Sequence, residues 1–195
     1  MKRFPSFPLS PVLVGVWLSA LFQSSGLGAP GGGNSLPVGL FASEWEAIRS
    51  DVDAGRHRFE VLDDGTPVVR NPGQQWHTVF DGEGFLTRPD AGGWEWGLSL
   101  RSVTSGDVRR SLSKVIARKT VNGNRLDLCR GAGLTEWFVN DGRGLEQGWT
   151  FAYAPEPGAA TIRLELAVRG GLRPEVAERA VAFRNEAGAA VLTYG

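Results

Sequence analysis

From Arg58 onward, hydrophobic and polar positions alternate with a period of two over most of the chain. Trp149, Phe151 and Tyr153 alternate with Gly148, Thr150 and Ala152, the pattern of a half-buried strand. Ahead of them Trp137 and Val139 share one face, and Glu136 and Phe138 share the other. Asn140-Asp141-Gly142-Arg143-Gly144 joins the two runs. This is turn chemistry, because glycine accepts positive φ and Asn and Asp tolerate it. The pair from Leu134 to Tyr153 is therefore the predicted centre of the fold, with Trp137, Trp149, Phe151 and Tyr153 as core anchors.

The same alternation predicts the remaining strands. Phe59 and Val61 lead into Asp63-Asp64-Gly65, and Val68-Val69 returns as a hairpin. Trp76, Thr78 and Phe80 precede the turn Asp81 to Gly84, and Phe85-Leu86-Thr87 follows it. Trp94, Trp96, Leu98 and Leu100 give the longest alternation of the first half. Lys114 to Thr120 and Arg125 to Cys129 flank the turn Val121-Asn122-Gly123-Asn124. Ile162, Leu164, Leu166 and Val168 alternate with Arg163, Glu165 and Ala167. Val181 and Phe183 pair with Val191, Leu192 and Tyr194 around Asn185 to Gly188. About ten to twelve short strands at such spacing predict an all-β, antiparallel β-sandwich-like domain. No period of about 20 to 50 residues repeats, which excludes a solenoid or propeller for this stretch.

One short N-terminal helix interrupts the pattern. Ser43-Glu44-Trp45-Glu46 reads as a capping box, in which the serine oxygen accepts from the third helical amide and Glu46 reaches back. Trp45, Ile48 and Val52 fall on one face, Gly55 sits at the C′ position, and the helix is expected to cover one end or edge of the sheets.

The first residues have a different character. Met1-Lys2-Arg3 is basic, Val12 to Phe22 is apolar, and Ser24 to Ala29 is small and polar, the three-part pattern of a signal peptide. Its apolar run is well short of the roughly 20 residues that span a bilayer. The predicted organisation is a signal peptide over residues 1–28, a flexible Gly/Pro leader over 29–40, and the β-domain over 41–195. The chain ends at Thr193-Tyr194-Gly195 as a strand closes, so a domain truncated at its C-terminus is expected. The expected location is secreted or cell-surface, with no membrane span after cleavage.

Composition narrows the reading. Hydrophobic residues make up 42% and charged residues 22%, enough for a real core, and the 27 glycines are spread among the apolar runs as turns would be. Losing Lys2 and Arg3 with the leader takes the 21 basic residues to 19 against 21 acidic, a net charge of −2. That balance offers no footprint for nucleic acid. Cys129 is the only cysteine, so an exported chain has no internal disulfide.

Candidate chemistry is sparse. His77, Asp81 and Glu83 are not at zinc spacing, and Asp51-Val52-Asp53 starts like a calcium loop but places Arg56 where its glycine belongs. Asn140-Asp141-Gly142 and Asp63-Asp64-Gly65 each offer one or two oxygens, too few for calcium by themselves. No metal or cofactor is expected. Glu95, Glu136 and Glu146 lie near aromatics and supply the acids a glycoside hydrolase would need. Trp94 and Trp96, on one face of a strand about 6.5–7 Å apart, are the candidate ligand platform for a sugar chain, with burial in the core as the competing reading.

Several segments carry a family resemblance. Arg70-Asn71-Pro72-Gly73-Gln74-Gln75-Trp76, Phe80-Asp81-Gly82-Glu83-Gly84-Phe85 and Gly92-Gly93-Trp94-Glu95-Trp96-Gly97-Leu98 come in order. Glu136 to Gly148 (EWFVNDGRGLEQG) and Val168 to Pro174 follow. Together they resemble the N-terminal domain of secreted bacterial proteins with FG-GAP or similar β-propeller repeats. The resemblance implies a non-enzymatic structural or interaction module, with downstream repeat domains as partners if the chain is a fragment. It transfers no catalytic residue, and the FG-GAP calcium loop is absent from this sequence. The alternatives are a carbohydrate-binding module using Trp94 and Trp96 and a glycoside hydrolase using Glu136 or Glu146; the partner is an unidentified protein or glycan.

Overall fold

The computed structural model describes residues 12–19, 39, 41–112, 116–131, 133–152 and 161–195, with only the backbone path for 12–19, 53 and 54. Tyr153, Lys114, the expected cleavage region and the 29–38 part of the leader lie outside the described residues. The N-terminal elements are β1 (Val12–Ser19), α1 (Ala42–Arg56), β2 (Phe59–Val61), β3 (Pro67–Asn71), β4 (Trp76–Val79) and β5 (Leu86–Pro89). The middle holds β6 (Trp96–Ser105), β7 (Val108–Ser111), β8 (Arg118–Asn122), β9 (Arg125–Cys129), β10 (Leu134–Asp141) and β11 (Gly144–Phe151). The chain closes with β12 (Ile162–Gly170), β13 (Arg173–Val176), β14 (Val181–Arg184) and β15 (Ala190–Tyr194).

These strands form two antiparallel sheets, as the alternation predicts. One has the order β13-β14-β15-β1-β11-β10-β9-β8, and the other β12-β6-β5-β4-β3-β2 with β7 alongside β6. The central hairpin pairs Leu134 with Phe151 and runs in register to Asp141 opposite Gly144. Two short strands escaped the sequence pattern. β7 is exposed throughout, so it has no apolar alternation to read, and β13 carries Pro174 in a likewise exposed run. The apolar run expected to leave as a signal peptide forms β1, antiparallel to β11 and β15.

The sheets face each other across a core in two parts. Phe59, Trp76, Phe80, Phe85, Trp96 and Phe138 belong to the larger cluster. Aromatic contacts cross between sheets there: Phe80 meets Phe138 edge-on with centroids 4.7 Å apart, and Trp96 meets Phe183 at 4.8 Å. Leu100, Val103, Leu134, Trp149 and Phe151 form the second cluster. Trp149 and Phe151 are thus inter-sheet residues. Trp137 is buried, at 4% exposure, but it alternates with Phe138 and so lies on the opposite face of its sheet. There it lies over Gly148, where a Cβ would stand 2.1 Å from Trp137 Cζ2, and the Arg125 guanidinium sits 4.8 Å from its ring.

The helix departs from expectation in three ways. Its cap is Phe41, whose amide donates to Glu44 Oε2 at 2.9 Å, so the reach-back comes from Glu44 and not Glu46. Helical geometry also continues past Gly55 to Arg56. Ile48 and Val52 are 43% and 50% exposed, so the helix's apolar positions are not seated on a sheet. Among the described residues no helix is long and apolar enough to cross a membrane.

Candidate functional site

Asn71 and Asn140, from two of the segments that carry the resemblance, meet where the two sheets come together. Asn71 ends β3 in one sheet and Asn140 lies in β10 of the other, and both are fully buried. Asn71 Nδ2 donates to Asn140 Oδ1 at 2.8 Å and to the Asp141 carbonyl at 2.7 Å, while Asn71 Oδ1 accepts from the Gln74 amide at 3.0 Å. Asn140 Nδ2 donates to the carbonyls of His57 and Arg70 at 3.1 and 3.0 Å. Each amide group thus satisfies backbone groups that burial would otherwise leave unpaired. The neighbouring turns touch as well: a Cβ at Gly73 would stand 3.7 Å from the Gly142 carbonyl oxygen.

A second buried polar group separates the apolar clusters. Glu136 faces inward beside Leu134 and Phe138, and Arg130, just after β9, reaches it with Nε 2.6 Å and Nη2 2.5 Å from Oε2. Gln147 of β11 donates to the other carboxylate oxygen at 2.6 Å, and Tyr194 of β15 donates to Gln147 Oε1 at 3.2 Å. Burial and the nearby Glu136 carboxylate both push the Tyr194 phenol up from its ordinary value, so it stays protonated and able to donate.

Other segments of the resemblance make close strand contacts. A Cβ at Gly84 would stand 2.0 Å from the Leu98 carbonyl oxygen, and one at Gly97 would stand 1.8 Å from that of Phe85. Only glycine permits this approach. At the rim, Arg169 of β12 holds both Asp81 oxygens, at 3.0 and 2.6 Å. Burial raises the Asp81 carboxyl, but the Arg169 bonds and charge outweigh it and hold the group below its ordinary value.

The structure separates the acids weighed as catalytic. Glu136 is opposite Trp149 in register and shares its inward face, whereas Glu146 is opposite Val139 and points outward. Glu95 pairs with Arg88 on the surface. His77 Nδ1 lies 3.8 Å from Asp90, away from the Asp81–Arg169 pair. Asp141 and Asp64 each accept an amide two residues on, as Asx turns do. Among the described residues no group of three His, Cys, Asp or Glu is placed to hold a metal ion.

The two-indole platform does not form. Trp96 is 0% exposed inside the larger cluster, as the continuing run through Leu98 and Leu100 indicates. Trp94 precedes the strand and is half-buried, lining a shallow cleft of about 280 Å³ with Leu172, Asn185 and Glu186. A second groove of about 400 Å³ lies on the outer face of the β2–β6 sheet, lined by Arg56, Arg58, Arg70, His77 and Glu60. Sequence reading missed Asn71, Asn140, Arg130 and Gln147 as a set. Glu136, Asn140 and Gln147 do occupy inward positions of the alternation, and a polar residue there is the one signal that marks a buried partner.

No protein-family description, curated protein or solved structure matches this chain.

Proposed function

We propose that this chain is a non-enzymatic, exported β-domain: a structural and interaction module of a secreted or surface protein, of the kind that precedes FG-GAP-type repeats. The observation that supports this reading is where the resembling segments go. Asn71, Gly84, Gly97, Glu136, Asn140, Gln147 and Arg169 are all engaged in joining strands or sheets. Residues so engaged hold a shape and are not free to meet a substrate. The three-part N-terminus supplies the export part of the reading. Fractionation of expressing cells with N-terminal sequencing tests it. The expected product begins near Ala29 and is found outside the cytoplasm; a cytoplasmic chain with Met1 intact overturns the export reading.

A further inference from the structure

β1 occupies an internal place in its sheet. It pairs with β11 at seven positions, from Val12 opposite Phe151 to Leu18 opposite Leu145. On its other side Leu18 and Ser19 pair with Tyr194 and Thr193 of β15. The same residues are the apolar centre of the segment read as an export leader. Removal of that leader takes a strand out of the middle of the sheet and leaves two facing edges with unpaired backbone groups.

The walls of that gap are held by contacts that do not involve residues 12–19. β11 is paired with β10 along its whole length, and its Trp149 and Phe151 sit in the second cluster. On the other wall Leu192 and Phe183 belong to the larger cluster, with Phe183 against Trp96. The Tyr194–Gln147 hydrogen bond spans the gap from one wall to the other. The long β11 edge, faced at its Leu145 end by the two-residue β15 edge and with apolar side chains beneath, forms a receptor for an extended peptide, in which main-chain bonds give affinity and alternate side chains give specificity.

We propose that the space between β11 and β15 is a strand-acceptor slot, filled in the exported protein by an extended segment of a second polypeptide. The segment is about seven residues long, apolar at alternate positions, and antiparallel to both walls. The β1 register adds a requirement. Gly15 stands opposite Gly148, whose side-chain space Trp137 already fills, so the donor carries a small residue there. This inference rests on the export reading, since only loss of the leader frees the slot.

The test begins with the full chain carrying a protease site inserted between Gly28 and Ala29, cut after purification. The released leader is expected to co-elute with the remainder. A labelled synthetic peptide of residues 10–21 is expected to exchange into its place, and the form carrying Val14→Pro and Gly15→Pro to bind on the order of tenfold or more weaker, having lost a ladder donor toward β11 in the middle of the paired stretch. Amide exchange at Leu145 to Phe151 should slow when peptide is present. Failure of the peptide to bind, equal binding of the proline form, or a cut chain that pairs with a second copy in place of the peptide overturns the proposal. Cell fractionation decides the export reading separately, because the peptide result does not depend on where the chain is found.

Discussion

Arg130 and Glu136 face each other in the interior, their side chains each 2% exposed, with Nη2 2.5 Å from Oε2. Six residues apart, they bracket the turn that leads from β9 into β10. The pair lies between the two apolar clusters with Gln147 as a further polar partner, in an interior where a lone charge is costly and a satisfied pair is roughly neutral against apolar replacements.

Arg130→Met alone is therefore predicted to lower the unfolding free energy by about 3–5 kcal/mol, because it strands the Glu136 carboxylate. Combining it with Glu136→Leu should restore at least half of that loss. Urea denaturation of Arg130→Met, Glu136→Leu and the double variant checks this; additive losses would show that the two side chains act independently.

Trp137 and Gly148 are predicted to be coupled on the outward face. Gly148→Ala puts a methyl 2.1 Å from the indole and should cost roughly 1–3 kcal/mol by overpacking. Trp137→Ala should cost about 3–5 kcal/mol on its own. In the Trp137→Ala background Gly148→Ala should become neutral or slightly stabilising, which thermal melts of the single and double variants would show.

Acid should loosen the contact between β12 and the β4–β5 turn. The folded Asp81 carboxyl is held below its ordinary value of 3.8, so its contribution is present above that value and fades as pH falls through the lower folded one. Asp81→Asn is expected to lower the melting midpoint at pH 6 and to leave it unchanged relative to the parent at the most acid pH. Both partners are partly exposed, so the difference is small and should shrink further in high salt.

The two-sheet fold was legible because aromatic and β-branched residues alternate through most strands and Asp-Gly or Asn-Gly turns punctuate them. β4, β9 and the β10–β11 pair show it. β7 was not legible, because it is exposed on every residue and has no alternation to read; α1 was legible as a helix, but its pattern did not tell that its apolar side would stay uncovered by a sheet. Trp137 shows a subtler limit. Period two separated it correctly from Phe138, but could not say that the outward face would bury it too, since that depends on Gly148 in the next strand leaving room. Partners far apart in sequence, such as Asn71 and Asn140 or Asp81 and Arg169, become visible only once the register is known.

The claim that the resembling segments bind the sheets together is tested most directly by a double-mutant cycle on Asn71 and Asn140, read by urea denaturation. Each Asn→Ala change should cost about 1–3 kcal/mol through the buried groups it leaves unpaired. The coupling between them should be about 1–2 kcal/mol, because each removes the other's partner at the 2.8 Å contact. Losses that simply add, or variants as stable as the parent, would contradict the account.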